Sequence, residues 1–221
     1  GFRSALGLSM IEPYDSYILY EEYIVPGLSA MIVLFNSMQS SLSMVYDREM
    51  GSMKVLLMSP VPRPFLMGSK LIANTLVSAI QVYIFFAFAL ILDVQLALAG
   101  YLYALPIIAL LSLFLGSLGL LLANYIKQLE NFAGVMNFVI FPTFFLSSAL
   151  YPLWKMAESS EILHDLCAVN PFTHAVESIR FALHQQVNFA SLGWVVLTTL
   201  VAMGIALYAY RPRASSMAKK A

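Results

Sequence analysis

Five stretches of the chain, approximately Ile24–Tyr46, Leu71–Leu92, Tyr101–Asn124, Phe132–Tyr151 and Phe189–Tyr210, run without a single Asp, Glu, Lys, Arg or His. At helical rise, about 20 apolar residues cross roughly 30 Å of hydrocarbon. Backbone in that medium has no water to bond to, so each stretch must satisfy its own N–H and C=O groups by forming a helix. Composition agrees: 60% of the 221 residues are hydrophobic and 11% charged, with mean hydropathy +0.79, against about 25% charged in a soluble domain. The expected fold is all-α and polytopic, one membrane domain over residues 1–221 with five spans. The lone Cys167 excludes an intrachain disulfide.

Charge position orients these spans. One side, made of 47–70, 125–131 and the tail after Tyr210, gathers Arg48, Lys54, Arg63, Lys70, Lys127, Arg211, Arg213, Lys219 and Lys220 against only Asp47, Glu49 and Glu130. The opposite side keeps Arg3, Lys155 and Arg180 and the other nine acids. Basic loops stay on the cytoplasmic side, which puts 47–70 and the C-terminus inside and 1–23 and 152–188 outside. Gly1 then starts on the translocated side without a signal peptide's charged start, apolar core and cleavage site. An upstream cytoplasmic segment and a first span are expected to precede it, which makes six spans in the complete subunit.

The inner loop is patterned. Met50, Met53 and Leu57 recur at i, i+3 and i+7, with Leu56 and Met58 widening the stripe, which predicts a short amphipathic helix. Pro60, Pro62 and Pro64 end it, because proline removes a backbone donor and restricts its predecessor. Such a helix either anchors in the membrane interface or docks its adaptable methionine face into a partner.

The runs VPGLSAM at Val25–Met31, YDREMGSMKVLLMSPVPRPFLMGSKL at Tyr46–Leu71 and NPFTHAVESIRFAL at Asn170–Leu183 together resemble the ABC-2 family of ATP-binding-cassette transporter membrane subunits. The resemblance covers most of the chain, and its specificity lies in the combination. It implies a permease half that pairs with a cytoplasmic ABC ATPase and a second permease copy, the same or different, to export a substrate. It also implies that Arg48, Glu49, Gly51, Lys54, Pro60 and Arg63 couple to the ATPase. The family often carries an acidic residue where Lys54 stands, which alters the charge its counterpart must bear. The family's interfacial helix and first span would lie upstream of this sequence.

No phosphate loop of the G-x-x-x-x-G-K-[ST] type occurs, so ATP and Mg are expected on the partner, with no cofactor, catalytic residue or enzymatic activity in this chain. The spans also lack the ionisable groups that proton-coupled carriers place at bilayer depth and that an intramembrane hydrolase would need. An ion-driven exporter binding its ion through backbone carbonyls, and a membrane scaffold without transport activity, remain the alternatives. Nucleic acid is not expected as a partner. In the first span Asn36, Ser40 and Ser43 share a face, with Gln39 and Ser37 beside them. That face either bonds between helices or lines a pathway, with Asn137 of the fourth span a further lining candidate. Ser112 and Gly116, like Ala202 and Ala206, form small-residue pairs that permit close helix approach. Pro142 is expected to kink or break the fourth span.

The outer segment 152–188 is too long for a turn. Asn170 followed by Pro171 signals a helix start, and Phe172, Ala175, Val176, Ile179, Ala182 and Leu183 mark one apolar face. This predicts an amphipathic lid helix in the outer leaflet, carrying Phe172, with Glu177 and Arg180 paired on its surface. His164, His174 and His184 lack metal-ligand spacing. Uncharged spans favour an amphiphilic or drug-like substrate over a highly charged one, and a prokaryotic inner membrane is the expected location.

Overall fold

The computed structural model describes residues 20–51, 63–92, 94, 98–126 and 128–209, and among these it contains helices and no strand. The helices are α1 (Tyr20–Glu49), α2 (Arg63–Ile91), α3 (Leu98–Tyr125), α4 (Leu129–Phe145), α5 (Leu153–Ser159), α6 (Glu161–Val169), α7 (Pro171–Leu183) and α8 (Phe189–Ala209). By length and composition α1, α2, α3 and α8 can cross a membrane, each containing one of the expected apolar runs to within a residue at its end. The stretch expected to form the inner amphipathic helix, with Lys54 and Pro60, and the C-terminal tail lie outside the described residues.

Two helices form the centre. Val33, Leu34 and Met38 of α1 are buried against Ile108, Leu111 and Leu115 of α3. α2, α7 and α8 also pack on α3, while α2, α4 and α7 pack on α1. Ile72, Leu76, Ile80, Ile84 and Phe88 on α2, and Leu197, Leu200 and Val201 on α8, stay exposed. In hydrocarbon an exposed Leu is no worse off than a buried one, so helices associate through close packing and interhelical hydrogen bonds instead. Glycines at contact points show the consequence. A Cβ on Gly116 of α3 would lie 2.8 Å from Leu71 and 3.2 Å from the Asn74 amide of α2.

The fourth expected span differs from its reading. α4 has 17 residues and ends at Phe145, three beyond Pro142, where Leu146 leaves helical geometry and its N–H bonds to the Pro142 carbonyl at 2.9 Å. Seventeen residues rise about 25 Å, short of a full crossing. The expected run to Tyr151 finishes as a turn over 146–150 whose Ser147, Ser148 and Ala149 are buried. Irregular backbone at membrane depth is tolerated where protein covers it. Here α1 covers it: Tyr23 donates its hydroxyl to the Ser148 carbonyl at 2.9 Å, and a Cβ on Gly27 would overlap the Ala149 carbonyl oxygen.

The lid reading also changes. α7 starts as Asn170–Pro171 predicted, with the Asn170 side chain accepting from Phe172 N at 3.0 Å and donating to the Thr143 and Leu146 carbonyls. However, Phe172, Thr173, Ala175, Val176, Ser178, Ile179, Arg180, Ala182 and Leu183 are all buried. The helix packs between α1, α3 and α8. Its Leu183 carbonyl abuts Gly100 near the start of α3, and its Pro171 borders a groove shared with Phe114 and Leu118 further along α3. Thirteen residues rise about 20 Å, enough to run between those two levels. The apolar spacing seen in sequence marks only one of the faces this element buries.

Gly27→Ala and Gly100→Ala each force backbone apart and are expected to cost about 2 kcal/mol. Gly193→Ala and Gly204→Ala on α8, where the space is open, should be neutral or slightly stabilising. Thermal unfolding of the purified variants in detergent checks the contrast.

Candidate functional site: a polar face at bilayer depth

α1 carries polar groups on two faces with different fates. Ser37 and Ser41 are buried inside the bundle. The Asn74 amide of α2 donates to Ser37 Oγ and to Ser112 Oγ of α3, both at 3.0 Å, which joins three helices through one side chain. Ser41 Oγ donates to the Ser37 carbonyl at 2.8 Å and occupies the space a Cβ on Gly119 would need. Ser37 therefore belongs to the interior, not beside the exposed stripe where the sequence put it. The interior is settled by these bonds, each worth on average about 0.6 kcal/mol in a membrane.

The other face is not. Gln39 and Ser43 are exposed and Asn36 and Ser40 half-buried. Ser43 Oγ bonds to the Ser40 carbonyl at 2.6 Å, and Asn36 Nδ2 donates to Gln81 Oε1 of α2 at 2.8 Å. Gln39 lies seven residues inside the end of the apolar run at Tyr46, about 10 Å along the axis and so within the hydrocarbon of a spanned bilayer. Lipid offers its amide no partner, and burying an amide without one costs several kcal/mol. The arrangement suits water, a polar solute or another protein surface. Asn137 stands exposed on α4, among the exposed Phe138 and Phe141. Gln81 and Asn74 are absent from the sequence expectations, although Asn74, Ser78 and Gln81 recur at i, i+4 and i+7, the spacing that marks the polar face of α1.

At the end of α1 three consecutive residues each reach a different helix. Asp47 pairs with Lys70 of α2 at 3.1 Å. Arg48 Nη1 donates to the Ala123 carbonyl near the end of α3 at 2.8 Å. Glu49 accepts the N–H of Leu129, first residue of α4, at 3.2 Å. Cations suit helix C-termini and anions suit N-termini by about 0.3–1 kcal/mol, and both contacts have that sense. Gly51 follows with φ +78°, its N–H bonded to the Arg48 carbonyl, a left-handed stop that favours glycine. The backbone of Arg63 opens α2.

At the opposite end Arg180, only 3% exposed, is paired with Glu177, lies 4.0 Å over the Tyr23 ring and donates to the Ser148 carbonyl at 3.1 Å. Glu177 and Arg180 thus pair as expected, though with the arginine buried. Of the histidines, His164 contacts Asp165, His174 stacks on Trp194 at 5.5 Å and His184 contacts the Arg180 carbonyl. Among the described residues no three metal-ligating side chains converge. Two grooves, of about 490 Å³ between α1 and α2 and about 450 Å³ beside α8, are lined by apolar residues such as Leu28, Phe85, Phe114 and Leu197. Neither presents groups for covalent chemistry.

The profile of the ABC-2 type transporter family matches residues 6–184. A curated relative from Cyanophora paradoxa, named "Putative transport permease ycf38", is 29% identical over 168 residues, covering 73% of this chain and 56% of the relative. The chain thus spans a little over half the length of that relative. No solved structure matches the chain.

Arg180→Met removes the charge partner of Glu177 and is expected to cost about 3 kcal/mol, while Tyr23→Phe, which loses one hydrogen bond, should cost about 1 kcal/mol. Arg180→Lys, without the planar fork and stacking surface, should fall between them. Melting temperatures of the three variants in detergent give the order.

Proposed function

This chain belongs to the ABC-2 type transporter family, and we propose that it is the membrane-spanning subunit of an ATP-driven exporter whose polar α1 face borders the transport path. The observation that carries this reading is the uncharged, solvent-suited face of Asn36, Gln39, Ser40 and Ser43 at bilayer depth. A second permease copy across that face encloses a water-filled route between the two, with Asn137 of α4 toward its flank. Amides and hydroxyls without fixed charge suit an amphiphilic or drug-like solute, whose polar part they can bond without an ion to desolvate.

ATP and Mg bind on a separate ABC ATPase. The 47–70 connection receives that subunit's movement through Lys54, Pro60 and Arg63, and Arg48, Glu49 and Gly51 at the end of α1 couple it to the bundle. The basic excess of this side supports a cytoplasmic loop and C-terminus, as in a prokaryotic inner membrane. α7, with Phe172, Glu177 and Arg180, then closes the outer end from within the bundle.

The test is affinity purification of the tagged protein from its native membrane in mild detergent, followed by an ATPase assay of the purified material. A stoichiometric nucleotide-hydrolysing subunit is expected, reduced at least tenfold in yield by Lys54→Glu. A protein that purifies alone, without ATPase activity, overturns the proposal.

A further inference from the structure

Asp47, Arg48 and Glu49 are consecutive, yet no two of them serve the same neighbour. One holds Lys70 in the second turn of α2, one an end carbonyl of α3, one the first N–H of α4. All four helix ends lie where the chain passes from α1 into the 50–62 connection. Two of the three contacts are to backbone, at helix termini where four N–H or C=O groups lack intrahelical partners. Each has the sign the helix dipole favours, and charged partners shorten and strengthen such bonds. A side chain bonded to a helix terminus follows the position of the whole helix, as Arg48 and Glu49 do for α3 and α4, while Asp47 holds α2 through the side chain of Lys70.

We infer that Asp47, Arg48 and Glu49 form a clasp that makes the 47–70 ends of α1, α2, α3 and α4 move as one block. The three are positioning residues: they act through neighbouring helices and are not the surface that meets the ATPase. The inference rests on the proposed coupling role of 47–70 and narrows it. Contact with the partner falls to the connection itself, and transmission falls to the clasp. Any push on the connection reaches the polar face of α1 together with Gln81 on α2 and Asn137 on α4, because no helix of the set can lag behind. Gly51, left-handed and directly after the clasp, marks where the block stops and the connection begins.

The experiment uses the full protein with its copurifying ATPase, in a Cys167→Ser background. Spin labels are placed at the exposed positions Tyr46 and Tyr125, and in a second pair at Tyr46 and Phe65. Interlabel distances are measured without nucleotide and with ATP and vanadate. Both distributions should be narrow and unchanged by nucleotide in the native sequence. In Arg48→Met the Tyr46–Tyr125 distribution should broaden and shift with nucleotide, while the ATPase still copurifies at native stoichiometry. Asp47→Lys should do the same to the Tyr46–Phe65 pair, and adding Lys70→Asp should restore it, which a merely misfolded variant would not allow. Glu49→Ala should keep the ATPase bound as well. Loss of the ATPase from Arg48→Met or Glu49→Ala would make these residues partner surface and overturn the inference. So would native distances that shift with nucleotide, variant distances that stay narrow, or a charge swap that restores nothing. Native protein that purifies without any ATPase is a different failure: it removes the coupling role itself, and the clasp as a transmission device with it.

Discussion

Hydrocarbon offers a polar group no partner, and most of this architecture follows from that one constraint. It forces the apolar runs into helices and keeps Asp, Glu, Lys and Arg out of those runs. Neutral polar groups within the runs are stabilised by an answering partner, which the buried Ser78 hydroxyl lacks among the described residues. Asn74 finds it in Ser37 and Ser112, so the same bonds that satisfy an amide fix how α1, α2 and α3 lie together. Gln39 and Ser43 of α1 stand exposed among the described residues. An outward amide at the same depth as these paired inner ones supports the proposed transport path on that side.

The break after α4 obeys the same constraint. Its helix stops at Phe145 with the chain still within the thickness of the neighbouring spans, so the turn at 146–150 needs donors for its carbonyls. Tyr23 and Arg180 both supply Ser148, and Asn170 supplies Thr143 and Leu146. Arg180 can be buried here because its charge has Glu177, a ring face and a carbonyl around it. One end of the bundle is therefore held by a buried cation serving irregular backbone, and the other by surface charges serving helix termini.

Much of this was legible in the sequence, and the limits have physical causes. The four long helices and the start of α7 were visible because absence of charge and an Asn-Pro start are local signals. The end of α4 was less so: Pro142 marks weakness, yet proline can sit in the last turns, and only the packing of 146–150 on α1 decides where the helix yields. Burial of α7 was not legible, since apolar spacing in a membrane protein reads alike whether the face meets lipid or protein. Ser37 and Asn36 are adjacent in sequence and about 100° apart on the helix, so grouping them by composition merged two faces. Asn74, Ser78 and Gln81 form a polar stripe on α2, but which of them bonds to another helix depends on partners that sequence spacing does not give. The contacts of Arg48 and Glu49 were invisible because their partners are backbone atoms, which no residue type announces.

The central claim is that the outward face of α1 borders water between two permease copies. Spin labels at Gln39 and Ser43, compared with labels at Ile80 and Phe88 on α2 in lipid nanodiscs, test it by collision with a water-soluble nickel chelate and with oxygen. The account predicts that the α1 labels collide with the chelate and the α2 labels with oxygen. Oxygen-dominated collisions at Gln39 and Ser43, matching those at Ile80, would place that face in lipid and contradict it. Labels shielded from both reagents would make it a sealed protein contact, and the path would have to lie elsewhere.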